Sequence, residues 1–141
     1  MQTRDCGSGY LIRLEIGEEI IAAVTAFVRR KRIKSGWLLG LGAVDNAVLG
    51  VYDLKRREYD KRTFKPIHEL INLTGDISWL GKDPVLHVHA VIADNALKTS
   101  GGHLFAARCA ITVEAMLTPW TRKATRKPDA VTGLNLLSLE D

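Results

Sequence analysis

Residues 9–32 read GYLIRLEIGEEIIAAVTAFVRRKR, and within them the apolar spacing changes from a period of two to one near four. Tyr10, Ile12, Leu14 and Ile16 alternate with the positions between them, as in a strand with one buried face. Gly17 ends that run. From residue 18 to 32 the pattern is helical, with Ile20, Val24, Phe27 and Val28 on one stripe. Glu18 and Glu19 fall in the predicted first turn and a run of cations in the last, the arrangement that suits a helix dipole at both ends. The cluster at 29–32 therefore has a structural cause before any partner is invoked.

No second helix is predicted C-terminal to this one. WLLGLGAVDNAVLGVYDL (37–54) is rich in Leu and Val and broken by Gly40, Gly42 and Gly50. It lacks GxxxxGK[ST] and no helix follows, so its glycines read as bulges or close backbone approaches rather than a phosphate loop. KRREYDKRTF (55–64) reads as a charged hairpin. IHELINLTGDISWL (67–80) reads as a strand pair turning near Thr74–Asp76. PVLHVHAVIA (84–93) is a strand, DNALKTSGG (94–102) a turn-rich loop, and AARCAITVEAML (106–117) a long last strand that Pro119 stops. One main helix among seven or eight strands predicts an α+β domain with a largely antiparallel sheet. The domain is expected over 1–118, followed by a basic C-terminal tail over 119–141.

A chain of 141 residues, 46% apolar and 26% charged, has the composition of one globular domain with a real core. Its longest apolar run, IIAAVTAFV, is far short of the roughly 20 residues a membrane span needs. The N-terminal MQTRDCGSGY has no signal-peptide core, so a cytoplasmic protein without membrane contact is expected. Cys6 and Cys109 have neither disulfide-scaffold nor zinc-knuckle spacing, and Cys109 reads as a small buried hydrophobe. The net charge is +4, and fifteen of the twenty Lys and Arg residues lie at 29–34, 55–65 and 121–127 (five, six and four). Such clusters attract phosphate backbones, and they are also what solvated helix ends, hairpins and tails look like.

Three of the four histidines fall within LHVHAVIADNALKTSGGHLF (86–105). On a strand, His87 and His89 share a face, while Leu86, Val88, Ala90 and Ile92 form the apolar one. An HxH pair can chelate one ion at about 2.0–2.1 Å per bond. His103 follows Gly101 and Gly102, which allow a close approach to a neighbouring strand, so it joins the pair if 84–93 and 103–113 are adjacent. Three protein ligands with an open fourth position is the usual build of a catalytic zinc site. The other reading is of ordinary polar residues on an exposed strand face, and spacing leaves both open.

The blocks GEEIIAAVTAFVRRKRIKSGWLLGLGAVDNAVLGVYD, ELINLTGDIS, LHVHAVIADNALKTSGGHL and TVEAML, in this order, resemble the plant-and-prokaryote conserved (PPC) domain family over roughly residues 8–118. Arg126, Asp129, Thr132 and Gly133 also resemble the end of bacterial members. The resemblance implies one helix on a curved antiparallel sheet, assembled as a homotrimer. It further implies a metal ion, zinc by expectation, held by His87, His89 and His103. Plant members carry a separate AT-hook with an Arg-Gly-Arg-Pro core; TRKP (125–128) lacks it. The expectation is thus a trimeric metal-binding module, a DNA-binding or regulatory interaction protein. Its DNA contact would be nonspecific, through the basic clusters, and a protein partner is a further expectation.

The alternative is a metal-dependent enzyme acting on a small substrate, with the three-His zinc site activating water or polarising a carbonyl. Glu69 and Glu114 are the candidate acid–base residues, because each interrupts an otherwise apolar strand. Either reads equally as an exposed strand carboxylate, or as one paired with an arginine such as Arg108. His68 points away from Glu69 on an extended segment and is left outside the site.

Overall fold

The computed structural model describes residues 1–139. The described residues form one nine-stranded sheet and one helix: β1 (Gln2–Asp5), β2 (Tyr10–Leu14), α1 (Ile20–Lys31), β3 (Gly36–Asp53), β4 (Glu58–Phe64), β5 (His68–Leu80), β6 (Asp83–Ala93), β7 (Thr99–Pro119), β8 (Thr125–Pro128) and β9 (Asn135–Ser138). The α+β domain with a mostly antiparallel sheet is what the periodicities predict.

The helix begins later than expected. Glu19 is the N-cap, and its carboxylate accepts hydrogen bonds from the backbone N–H of Ile21 (3.2 Å) and Ala22 (2.6 Å). The two acids therefore precede the first turn; Glu18 instead pairs with the N-terminal ammonium of Met1 at 2.6 Å. At the other end Arg29, Arg30 and Lys31 occupy the last turn, and Arg32 closes it with φ of 53°. Ile20, Val24, Phe27 and Val28 are buried together with Leu38, Leu73, Val88, Ile92 and Val113. This stripe seats α1 on β6 and β7. Truncating Phe27 there to Ala would cost about 3–5 kcal/mol.

Two long strands organise the sheet. β7 pairs with β3 along one edge and, on the other, with β6 near its start and β2 near its end. β3 pairs with β5 through its first half and with β4 through its second. Because β5 also pairs with β6, the strands β7, β3, β5 and β6 close a ring around the core. The bend needed for closure falls at Gly42, where the β3 register shifts. Its φ is +150°, and a Cβ would lie 2.1 Å from the carbonyl oxygen of Thr112.

Three expectations are corrected here. Residues 68–80 form a single strand, with no turn at Thr74–Asp76. Gly75 is small because β6 lies against it: a Cβ would come 2.1 Å from the His87 carbonyl oxygen. The loop predicted over 94–102 is shorter, since β7 already begins at Thr99. The first strand is Tyr10–Leu14 rather than 9–16, and β1 pairs with it as an edge hairpin.

Beyond Pro119 the chain turns back onto the sheet. Trp79 N–H donates to Ala124 O at 3.0 Å, β8 runs parallel to β5 there, and β9 pairs antiparallel with β8. The turn between them is held by Asp129, whose carboxylate accepts from Thr132 N–H (2.8 Å) and Oγ1–H (2.7 Å). Tyr52 donates its hydroxyl to Thr132 O at 2.7 Å, tying that turn to the end of β3. Among the described residues no helix is long and apolar enough to cross a membrane.

Candidate metal centre

Alternation along β6 buries Val88, Ala90 and Ile92 and turns His87 and His89 outward. β7 runs alongside, with His103 opposite His89 in the ladder. Gly102 makes this possible: a Cβ would lie 2.7 Å from Gly50 O on β3. The three rings sit with centroids 5.1 Å (His87–His89), 5.4 Å (His87–His103) and 5.5 Å (His89–His103) apart. One nitrogen from each lies within 4.8 Å of the others. At metal–nitrogen bonds of about 2.0–2.1 Å, ligand atoms around a tetrahedral ion stand about 3.3–3.4 Å apart, so the rings would move inward by up to about 1.5 Å to share an ion.

The chemistry of the donors suits a metal. His103 is walled by Tyr59 and Phe105, at 5.1 and 4.7 Å between centroids. Burial lowers its pKa to about 4, helped by the charges of His87, His89, Lys61 and Arg126. Burial, then His87, also lowers that of His89. At neutral pH both rings are therefore neutral, the form that offers a lone pair to an ion. Nδ1 of His103 is buried with no hydrogen-bond partner among the described residues, a costly arrangement for a polar atom unless a ligand completes it.

Behind His87 lies a carboxylate. Its Nδ1 is 3.3 Å from Oδ2 of Asp76, which turns Nε2 outward as the free donor. Asp76 is only 9% exposed, and Arg126 from β8 only 7%. Arg126 Nη2 donates to both carboxylate oxygens at 2.8 and 2.9 Å, Nε to Ser78 Oγ at 2.7 Å, and Nη1 to Asn135 O at 3.0 Å. Ser78 in turn donates to Asp76 at 2.8 Å. Burial works against the Asp76 charge, yet the hydrogen bonds from His87, Arg126 and Ser78 hold its pKa near 2.

The expected acid–base residues lie elsewhere. Glu69 faces Ala93 across the β5–β6 ladder, four residues from His89, roughly 13 Å along the strand. Glu114 is eleven residues beyond His103 on β7, on the order of 35 Å of strand. It lines a cavity of about 640 Å³ with Leu11, Leu39, Leu41, Ile71 and Met116. Among the described residues, that cavity holds no cluster of metal-ligating groups. His68 is also apart, with Nδ1 2.8 Å from Pro66 O. Sequence reasoning marked Arg126 only as part of a family-like tail and passed over Asp76 and Tyr59; the one cue for Asp76 was a carboxylate inside an apolar strand.

The comparisons agree with this architecture. The Plants and Prokaryotes Conserved (PCC) domain matches residues 1–121. The chain belongs to the PCC family. Its fold is that of a candidate DNA-binding protein from Bacteroides thetaiotaomicron, with a TM-score of 0.95 and 28% identity over 99% of this chain and 98% of that one. A metal-containing protein from Archaeoglobus fulgidus is 31% identical over 94% of both chains, with a TM-score of 0.86. A plant- and prokaryote-conserved protein from Pyrococcus horikoshii is 28% identical, with a TM-score of 0.87, over 96% of this chain and 94% of that one. No curated protein gives a significant match. In this PCC protein Arg126 lies beyond the matched residues and yet reaches Asp76, the carboxylate behind His87.

Proposed function

We propose that this PCC protein is a homotrimeric, zinc-binding module that works through contacts with other macromolecules, without sequence-specific DNA readout. Residues 1–118 would form the family core and 119–141 a basic extension. The observation that carries the metal is the convergence of His87, His89 and His103 within one ligand-sized space. The metal-containing Archaeoglobus relative supports the same reading. Imidazole donors also accept nickel, copper and iron, so elemental analysis decides the ion.

The trimer is supported by the sheet face away from α1. Leu11, Leu39, Leu41, Ile71 and Ile111 are exposed there around the 640 Å³ cavity or next to it. A contiguous apolar surface of this kind marks an interaction site on a globular protein. Nucleic-acid contact is supported by the candidate DNA-binding relatives and by the overall positive charge. Local pairing blunts it: Arg29 pairs with Asp83, and Arg56 sits among Asp53, Glu58 and Asp60. DNA binding is therefore expected to be weak, nonspecific and steeply salt-dependent.

The enzyme reading keeps one observation in its favour, which is that the His87 side chain is 43% accessible and leaves room for a further ligand on the ion. Glu69 and Glu114 are too remote to serve as its acid–base groups without rearrangement. Elemental analysis and light scattering on the untagged protein and on a His87→Ala/His89→Ala variant test the proposal. About one zinc per chain, lost in the variant while a trimer persists, is the expected result; a metal-free wild type or a monomer overturns it. Gel-shift titration showing no DNA binding even at low salt would remove the nucleic-acid part.

A further inference from the structure

The C-terminal hairpin does more than cover an edge. β8 and β9 follow the matched family domain, and their only buried cation, among the described residues, is aimed at the carboxylate that orients His87. We infer that Arg126 is a positioning residue for the metal site, acting through Asp76 on His87, so that docking of the hairpin and binding of the ion reinforce each other. The inference rests on the metal reading proposed above.

The physical argument begins with the carboxylate. A buried, charged Asp76 needs partners for both oxygens, and among the described residues of the domain proper Ser78 and His87 supply them. Arg126 contacts both oxygens and fixes the plane of the group. That plane sets the direction from which Oδ2 meets Nδ1 of His87, and hence the ring orientation and the nitrogen left for an ion. A carboxylate behind a metal-bound imidazole typically changes metal affinity by 10- to 100-fold. Arg126 reaches this position only when β8 lies against β5, which the contacts of Trp79 with Ala124, of Tyr52 with Thr132 and of Arg57 with the Ala130 carbonyl secure. Linkage then works both ways: whatever factor hairpin docking adds to metal affinity, the metal adds to hairpin docking.

The test is a zinc titration against a chromogenic chelator, with wild type, Arg126→Met, Arg126→Lys, Asp76→Asn and the Asp76→Asn/Arg126→Met double variant. Alongside it, amide hydrogen exchange over residues 125–138 is followed with and without zinc. The expected result is an affinity about 10- to 100-fold weaker in Arg126→Met at unchanged stoichiometry. Arg126→Lys should fall between, since it keeps charge but loses the fork. In the Asp76→Asn background, Arg126→Met should change affinity no further, and zinc should slow exchange across the hairpin of the wild type.

Wild-type affinity in Arg126→Met, with zinc bound normally by the wild type, overturns the inference and leaves the metal reading standing. A wild type that binds no zinc overturns both. Should the Arg126 variants fail to fold, the exchange measurement decides: no slowing over 125–138 upon zinc saturation defeats the coupling.

Discussion

Two arginine–aspartate pairs in this protein are nearly equal in length and unequal in consequence. Arg108 spans the β3–β7 ladder to Asp45, with Nε and Nη2 each donating to a different oxygen at 2.8 Å. Arg126 crosses from the C-terminal hairpin to Asp76 and uses one nitrogen for both oxygens, at 2.8 and 2.9 Å. The better fork is the one at the surface. There the Arg108 side chain is 52% accessible, and Asp45 keeps a second donor in Asn46. At the inner pair, water reaches neither partner freely, and the two remaining nitrogens of Arg126 donate to Ser78 and Asn135. Geometry alone therefore ranks the two pairs in the wrong order; burial and what stands behind each carboxylate rank them correctly.

The largest effect should follow from breaking the inner pair. Arg126→Met leaves a buried carboxylate with no cation, and such breaks typically cost about 3–5 kcal/mol. Chemical denaturation should show this as a lower midpoint at unchanged slope. A loss below about 1 kcal/mol would place the inner pair in the class of the outer one and erase the contrast.

The next experiment separates stability from function within the inner pair. Replacing the whole polar cluster by apolar groups, as Asp76→Leu/Ser78→Ala/Arg126→Met, removes the charges and the hydroxyl that would otherwise be left unsatisfied. Buried ion pairs replaced in this way are often neutral in stability or better. The triple variant should therefore recover to within about 1–2 kcal/mol of wild type, while zinc affinity stays reduced because His87 has lost its partner. Recovery of both together would show that Asp76 matters to packing alone. Ser78→Ala is smaller still: a fully buried hydroxyl that bridges both members is lost, at about 1 kcal/mol.

Why the outer parts of this arrangement were legible in the sequence and the inner part was not follows from chain separation. The stripe of α1 and the alternation of β6 are local, and each was visible in its own window. His103 could be joined to His87 and His89 because one short turn separates their strands. Asp76 and Arg126 are fifty residues apart, and nothing in TGDISW or TRKP announces the other. Gly75, read as a turn, is instead the place where β6 passes too close for a side chain. Glu69 and Glu114 drew notice for interrupting apolar strands, yet both sit where the sheet meets solvent or the apolar cavity. A carboxylate in a strand is informative only when its burial is known, and burial is what a single strand's pattern does not carry.

The smallest effect is expected at the outer pair. Arg108→Ala removes a two-bond ion pair, but Asp45, 16% exposed beneath the arginine, is opened to water on that side and keeps its hydrogen bond to Asn46, so no buried charge is stranded. Exposed pairs of this kind contribute about 0.2–1 kcal/mol. Their share should shrink further in salt, because the Debye length falls from about 10 Å at 0.1 M to about 3 Å at 1 M. Denaturation of Arg108→Ala and wild type at the two salt concentrations should show a small gap that narrows. Zinc affinity should be unchanged, since Arg108 has no path to the histidines. A gap that persists at high salt would mean that Arg108 serves through its packing beside Glu19, whose carboxylate both caps α1 and accepts from Ala107 N–H on the neighbouring strand. In that case the aliphatic stem and not the charge is the working part, and Arg108→Met, which keeps the stem, should restore wild-type stability at both salt concentrations.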